Sequence, residues 1–487
     1  MRPGLLLGID EGTTAVKAAL FDTELRPVAE ARRRVAVTHP APGRVEQDPE
    51  LVLEAVLDAV AEVLEQAGGR EVLAAGLDHQ GESVLAWDAS SGRALTPVVV
   101  WQDKRQEALL ADIEPVAVEA SGLPLDPYFS AGKLAWLLQN DHAVAVARDA
   151  GRLRLGTVDA FILERLGGRF ATDLSTASRT QLLAVGGRDW DDALLSTFGV
   201  RREWLPAIGP TFGALGELRS ERWPVALALT AQLVDQQAAL AGSGAVHPGE
   251  LKATYGTGVF VLGRTAGPVT ARGLLPTVAW AAPDAAGGVG EVAHALDGGV
   301  FAAGALLDWL AEGLGLAADA PALAVAAAAV RDSGGVVILP AIAGLGAPWW
   351  LPGAHGVIAG LHAGATAGHV GHAALEAIAW RVADIVEAMA SAVPVASVRA
   401  DGGLSNDETL LRIQADALAV PLEVGSTDVT VRGAAMLAGV GAGIYASVED
   451  AAQLLPRGRV IDAGAGPQVR GRERERWRSF VERAARL

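Results

Sequence analysis

The chain has no cysteine in its 487 residues. That absence excludes disulfides, thiolate metal sites and cysteine nucleophiles together, and leaves the redox compartment open. Lysine is also scarce: Lys17, Lys104, Lys133 and Lys252 are the only four. No excess of positive charge exists, since the formal net charge is -17. A chain this acidic is a poor match for nucleic acid or an anionic membrane surface, and neither partner is expected. The richest basic cluster, Arg470 to Arg478, is interleaved with Glu473 and Glu475 and reads as a solvated terminal helix. Long apolar runs are missing as well. Leu5–Leu7 is cut short by Gly8 and Asp10, too short for a signal h-region. Ala320–Val330 is too short for a bilayer span and contains Pro321. The expectation is a soluble cytoplasmic protein. The nine histidines show no metal-ligand spacing.

What is present is enough apolar residue for large cores. Hydrophobic residues make up 51% and charged ones 20%, so wholesale disorder is not expected. The length suggests about two to four domains. The opening reads strand, turn, strand: Leu5–Ile9, the polar turn Asp10-Glu11-Gly12-Thr13-Thr14, then Val16–Phe21. Asp48 can cap a helix with Pro49 at its first position. Leu53, Val56, Leu57, Val60 and Leu64 follow at helical spacing before Gly68. Leu73–Leu77 reads as the next buried strand, and the mixture argues for an α/β fold.

The opening pattern recurs half a chain later. Leu251–Tyr255, the turn Gly256-Thr257-Gly258 and Val259–Leu262 repeat strand, Gly-Thr turn, strand. Two such units suggest two related domains. The boundary is expected near Ala241–Gly249, where Gly242, Gly244, Pro248 and Gly249 cluster, giving domains over 1–245 and 246–487.

Three places carry chemistry. A Gly-Thr turn lets backbone N–H groups approach a phosphate while threonine adds a hydroxyl donor. Asp10, beside the first turn, can hold Mg²⁺ through water, and Lys17 can neutralise developing charge. The alternative is that Gly12 and Gly256 are ordinary hairpin glycines; neither turn matches a Walker loop. Asp235 follows an apolar stretch and precedes a helix-like run. The ordinary role there is a helix N-cap; the other is a base for an alcohol. Val398–Asp401 followed by Gly402-Gly403 and a helix-like segment, Asp407–Leu418, is a strand–glycine pair–helix arrangement. It can lay a purine or phosphate against bare backbone, or simply be a tight left-handed turn.

Taken in order, Gly8–Thr14, Val234–Gln237, Lys252–Gly258, Gly344–Trp350 and Asp401–Gly403 resemble the FGGY-family carbohydrate kinases, and among them the glycerol kinases. The resemblance runs from about Leu5 to Leu455. It implies two ribonuclease-H-like (actin-like ATPase) domains with an interdomain cleft. It further implies ATP and Mg²⁺ as cofactors, a small polyol or sugar as substrate, and a homo-oligomer, dimer or tetramer. By the same resemblance, Asp10 lies at the metal; Thr13, Thr14, Lys17, Gly256, Thr257, Gly304, Gly402 and Gly403 lie at the nucleotide; and Asp235 is the base. The acceptor pocket would be Glu82, Trp101, Tyr128, Asp235, Gln236 and Phe260.

One position departs. Gly81 stands where the glycerol kinases carry an arginine beside the glutamate. The loss of that guanidinium predicts a roomier, less cationic pocket, and makes a tetritol, pentitol or ketose an alternative acceptor. Ser220-Glu221-Arg222-Trp223 lacks the Gly- and basic-rich loop of fructose-bisphosphate-sensitive relatives, so no such inhibition is expected. A non-catalytic actin-like nucleotide-binding protein is the alternative of a different class.

Overall fold

The computed structural model of the chain describes residues 4–425 and 428–486; Met1–Pro3, at the start of the N-terminal stretch read above, lie outside them. It is a mixed α/β chain that divides into two compact units. The first unit holds the chain up to Val246, with Pro276–Ala295 and Asp428–Leu455. The second holds His247–Leu275, Leu296–Thr427 and Pro456–Leu487.

The first unit is built on β1 (Leu5–Glu11), β2 (Ala15–Asp22), β3 (Pro27–Arg34), β4 (Val72–His79), β5 (Phe212–Leu218) and β6 (Leu227–Val234). They form one six-stranded sheet in the order β5-β6-β4-β1-β2-β3. β1 and β2 are the hairpin expected around the Gly-Thr turn, and β4 runs parallel to β1. β1, β4 and β6 are almost wholly buried, which is why they read as continuous apolar runs. Helix α1 (Pro49–Gln66) starts as its sequence signals require: Asp48 accepts from the Glu50 N–H and Pro49 is its first residue. Leu53, Val56, Val60 and Leu64 face the core with Leu5, Leu7 and Ile9. Helix α2 (Asp235–Gly242) leaves the end of β6 directly.

The second unit repeats the motif. β7 (Glu250–Tyr255) pairs antiparallel with β8 (Val259–Thr265) and parallel with β9 (Ser397–Asp401), as β1 does with β2 and β4. β10 (Leu422–Val424) and β11 (Arg459–Ile461) extend that side, in the order β8-β7-β9-β10-β11 within a seven-stranded sheet. Helices α3 (Ala367–Ala390) and α4 (Glu408–Ala417) pack on the same core. Asp407 caps α4 by accepting from the N–H groups of Thr409 and Leu410. The basic C-terminal cluster is helical, but only partly solvated: Trp477 and Val481 are buried, and Arg474 donates to Asp384 at 2.5 Å.

The chain then returns to the first unit as α5 (Val429–Gly441). Glycines let it lie on bare backbone: a Cβ at Gly8 would stand 2.1 Å from the Val431 carbonyl oxygen, and one at Gly76 2.2 Å from that of Ala434.

Candidate functional site

In the first unit, three aspartates gather at the ends of adjacent strands. Asp10, next to the last residue of β1, is opposite Asp78 on β4, while Asp235 follows β6. Burial pushes the Asp10 carboxyl up to about 7, with the charge of Asp235 adding to the rise and those of Lys17 and Arg32 opposing it. Asp78 is fully buried, and burial, then the charges of Asp10 and Asp235, drive it well above the usual carboxylate range. Asp78 did not emerge from the sequence reading, although a signal existed: Gly76-Leu77-Asp78 repeats Gly8-Ile9-Asp10.

A testable consequence follows from Asp78. A carboxyl raised on folding binds its proton more tightly folded than unfolded. Its stabilising contribution is complete below the unfolded value of 3.8 and is lost as pH rises. Asp78→Asn removes that loss. In metal-free buffer the variant's gain in Tm over the parent should therefore be larger at pH 8 than at pH 5. Equal gains at both would show that Asp78 ionises normally.

Asp235 is the first residue of α2, and the N-cap is Val234. The Asp235 carboxylate accepts from the Gln236 N–H at 2.6 Å, and both residues are half-buried. The N-cap role open to Asp235 in the sequence is thus not the one it takes.

Several of the residues expected at the acceptor are tied to their neighbours in this unit. Trp101 Nε1 donates to Thr13 Oγ1 at 3.0 Å, joining that tryptophan to the first Gly-Thr turn. Gln47 donates to the Thr13 carbonyl at 2.7 Å and fixes the same turn. Trp101 and Tyr128 stack edge to face at 5.6 Å. Glu82 is buried and accepts from Arg179 Nε at 2.8 Å. Burial raises the Glu82 carboxyl against the pull of Arg179, and the charge of Asp235 raises it further. Lys133, also buried, donates to the carbonyls of Pro127 at 2.9 Å, Tyr128 at 2.6 Å and Phe129 at 3.2 Å, and so fixes the turn that presents Tyr128. Neither Arg179 nor Lys133 is given a site role by the sequence; both act across long separations or on backbone, which no local spacing reveals. Lys17 lies opposite Asp10 in the β1–β2 hairpin, and its ammonium is held by Asp428 at 2.6 Å and Glu30 at 2.8 Å. Thr14 is exposed, and its carbonyl accepts from the Val35 N–H at 3.0 Å.

Gly81 has a structural partner. A Cβ there would stand 2.7 Å from one γ-methyl of Val234. A γ-methyl of Val234 therefore lies directly beside Gly81, and the neighbouring Glu82 is bonded to Arg179.

The second unit assembles the other turn. Gly256 N–H donates to the Gly258 carbonyl at 2.8 Å, and Gly304 N–H to the Gly256 carbonyl at 3.1 Å. A Cβ at Gly304 would stand 2.9 Å from the Gly256 oxygen, and one at Gly402 2.5 Å from the Tyr255 oxygen. Gly402 also holds φ +91, a conformation that suits glycine. Thus Gly256, Thr257, Gly304 and Gly402 lie together on bare backbone, with Thr257 and Gly403 exposed. Phe260 is on β8 in this unit, its ring beside Gly299.

The donor set suits a hydrated ion. Among the described residues, no three His, Asp or Glu side chains are grouped to cage a metal. Asp10 offers a partly buried carboxylate close to those of Asp78 and Asp235. Mg²⁺, which keeps several waters and takes one or two carboxylates plus phosphate oxygens, fits it.

Comparison with known proteins defines the class. Residues 5–242 match the N-terminal domain, and residues 251–442 the C-terminal domain, of the FGGY family of carbohydrate kinases. The chain belongs to that family. More particularly, it is 39% identical to the glycerol kinase of Citrifermentans bemidjiense, with 99% of this chain and 98% of that one covered. It is 41% identical to the glycerol kinase of Thermus brockianus, with 98% of each covered. A solved structure of Plasmodium falciparum glycerol kinase with ADP has a TM-score of 0.92 to this fold at 28% identity, covering 99% of this chain and 98% of that one.

Proposed function

We propose that the protein transfers the γ-phosphoryl group of ATP to a terminal hydroxyl of a small polyol, as a glycerol kinase-like phosphotransferase. The observation that carries this reading is the joining, in one unit, of Asp235 and Asp10 by charge and of Trp101 and Thr13 by a hydrogen bond. In this reading Asp235 takes the proton of the terminal hydroxyl as its oxygen bonds to the γ-phosphorus, and the bond to the bridging oxygen of ADP breaks. Glu82, Trp101, Tyr128, Gln236 and Phe260 orient the acceptor. Thr13, Thr14 and Lys17 from the 1–245 domain, and Gly256, Thr257, Gly304, Gly402 and Gly403 from the 246–487 domain, serve the nucleotide. Asp10 would hold Mg²⁺, whose charge screens the phosphates when bound. Lys17 would first have to leave Asp428 or Glu30 to reach a phosphate. The reading carries with it a cytoplasmic homo-oligomer, dimer or tetramer, with no nucleic-acid or membrane partner. Among the described residues no helix is long and apolar enough to cross a membrane. Sedimentation would check the assembly.

The direct test is ADP release from ATP and Mg²⁺ with glycerol, tetritols, pentitols and ketoses in turn. Release that depends on one of them is expected. Equal release without any acceptor would instead identify a nucleotide-dependent protein of another kind.

Val234 over Gly81 favours a small acceptor over the larger polyol or ketose, because the volume gained at one position is lost at the other. It also reverses the outcome of an obvious engineering step. Gly81→Arg should lower turnover on every acceptor, since its Cβ meets Val234; overpacking of this kind costs about 1–3 kcal/mol. Adding Val234→Gly should restore stability and turnover. Improved glycerol turnover by Gly81→Arg alone would refute this packing argument.

A further inference from the structure

We infer that Arg179 is the positioning residue of the acceptor pocket, fixing the Glu82 carboxylate that receives the acceptor's hydroxyls. The inference rests on the polyol-kinase reading above and goes further, in assigning the pocket's cation to a segment far from Gly81 in sequence.

The ion pair is closed to solvent: the side chains of Arg179 and Glu82 are 3% and 6% exposed, with Nε to Oε1 at 2.8 Å. The guanidinium lies 5.9 Å from the Tyr128 ring centre and 6.0 Å from that of Phe129, so it faces the aromatic wall of the same pocket. Its backbone is held from several sides. Asp173 caps the short helix Leu174–Ala177 before it and accepts from Thr211 Oγ1 at 2.7 Å. Ser178 bonds Thr277 at 2.9 Å, and the Thr180 carbonyl accepts from the Ala131 N–H at 2.9 Å. A guanidinium on so fixed a backbone sets one orientation for its carboxylate.

Two neighbours could have served instead, and neither does. Gly81 has no side chain, and Val234 bars one. Lys133 faces Glu82 but donates to three backbone carbonyls, and burial draws its ammonium down to about 7. Arg179 is left as the permanently charged group bonded to Glu82. A buried carboxylate deprived of its partner takes up a proton or turns away, and either change removes an acceptor for the substrate's hydroxyls.

The test uses the full chain with glycerol and erythritol as acceptors, and compares Arg179→Lys, Arg179→Met, Glu82→Gln and the Arg179→Met/Glu82→Gln double variant. Arg179→Met should raise the acceptor KM by about tenfold or more while the ATP KM stays within about twofold. Guanidinium ion at low concentration should recover part of the loss. Arg179→Lys, which keeps the charge without the fork, should fall between, and it reads the effect if the methionine variant does not fold. The double variant should be no worse than Glu82→Gln alone, because the two residues act as one unit. Unchanged acceptor KM, equal rises in both KM values, or additive losses would overturn the inference. If the parent chain phosphorylates no acceptor, the polyol-kinase reading itself fails, and this inference with it.

Discussion

Asp235→Asn should lower turnover by about 10²–10⁴-fold, the usual scale for removing a positioned base, with little change in Tm. Coupled detection of ADP release beside a thermal melt separates these two quantities. The separation matters because an aspartate at a helix start has an ordinary structural use. Here that use is not the N-cap. The cap position belongs to Val234, and the bond Asp235 makes to the Gln236 N–H is one that the asparagine oxygen can also accept. What asparagine cannot do is take a proton from a hydroxyl at neutral pH. The placement is also costly in a way that structure alone does not repay: Asp235 adds to the charge that raises both Asp10 and Asp78. Carboxylates set against one another at strand ends are the arrangement expected of groups that handle protons or cations. Near-full turnover by the asparagine variant would remove Asp235 from the chemistry and leave the carboxylate cluster without a base.

Much of this arrangement was legible because it is local. Apolar runs ending in a polar turn gave β1, β2 and β7 to within a few residues, since burial on both faces leaves no room for alternation. The cap at Asp48 and the proline after it marked the start of α1. The strand before Gly402 and the helix after Asp407 were equally plain. What could not be read was anything set by distance along the chain. Glu82 finds Arg179 at a separation of 97 residues. Val234 fills the place beside Gly81, and nothing in either segment names the other. Asp78 is opposite Asp10 only through the register of two parallel strands. The return of Asp428–Leu455 to the first unit has no compositional signal at all; its warrant is steric, and appears only when backbones are seen to touch.

That contact yields the second large effect. Gly433→Ala should destabilise the chain by about 3 kcal/mol or more, beyond the ordinary range for a single methyl group, because the obstacle is backbone. A Cβ at Gly433 would stand 1.9 Å from the Ala238 carbonyl oxygen and 2.9 Å from the Gly242 nitrogen. Reciprocally, one at Gly242 would stand 1.9 Å from the Val429 oxygen and 2.7 Å from the Gly433 nitrogen. Helices α2 and α5 therefore touch without side chains between them, and neither can yield by turning a rotamer. The effect should reach function, since α2 begins at Asp235 and Asp428, immediately before α5, holds Lys17. Gly471→Ala is the matched control: it lies within a helix, and its Cβ would have no atom within 4 Å. There the methyl group should be neutral or stabilise by up to about 1 kcal/mol, through the lower entropy of the unfolded chain. Denaturant melts of both variants give the comparison. A Gly433→Ala protein as stable as the Gly471→Ala protein would mean that α2 and α5 are not in backbone contact, and that Asp235 is held in place by something else.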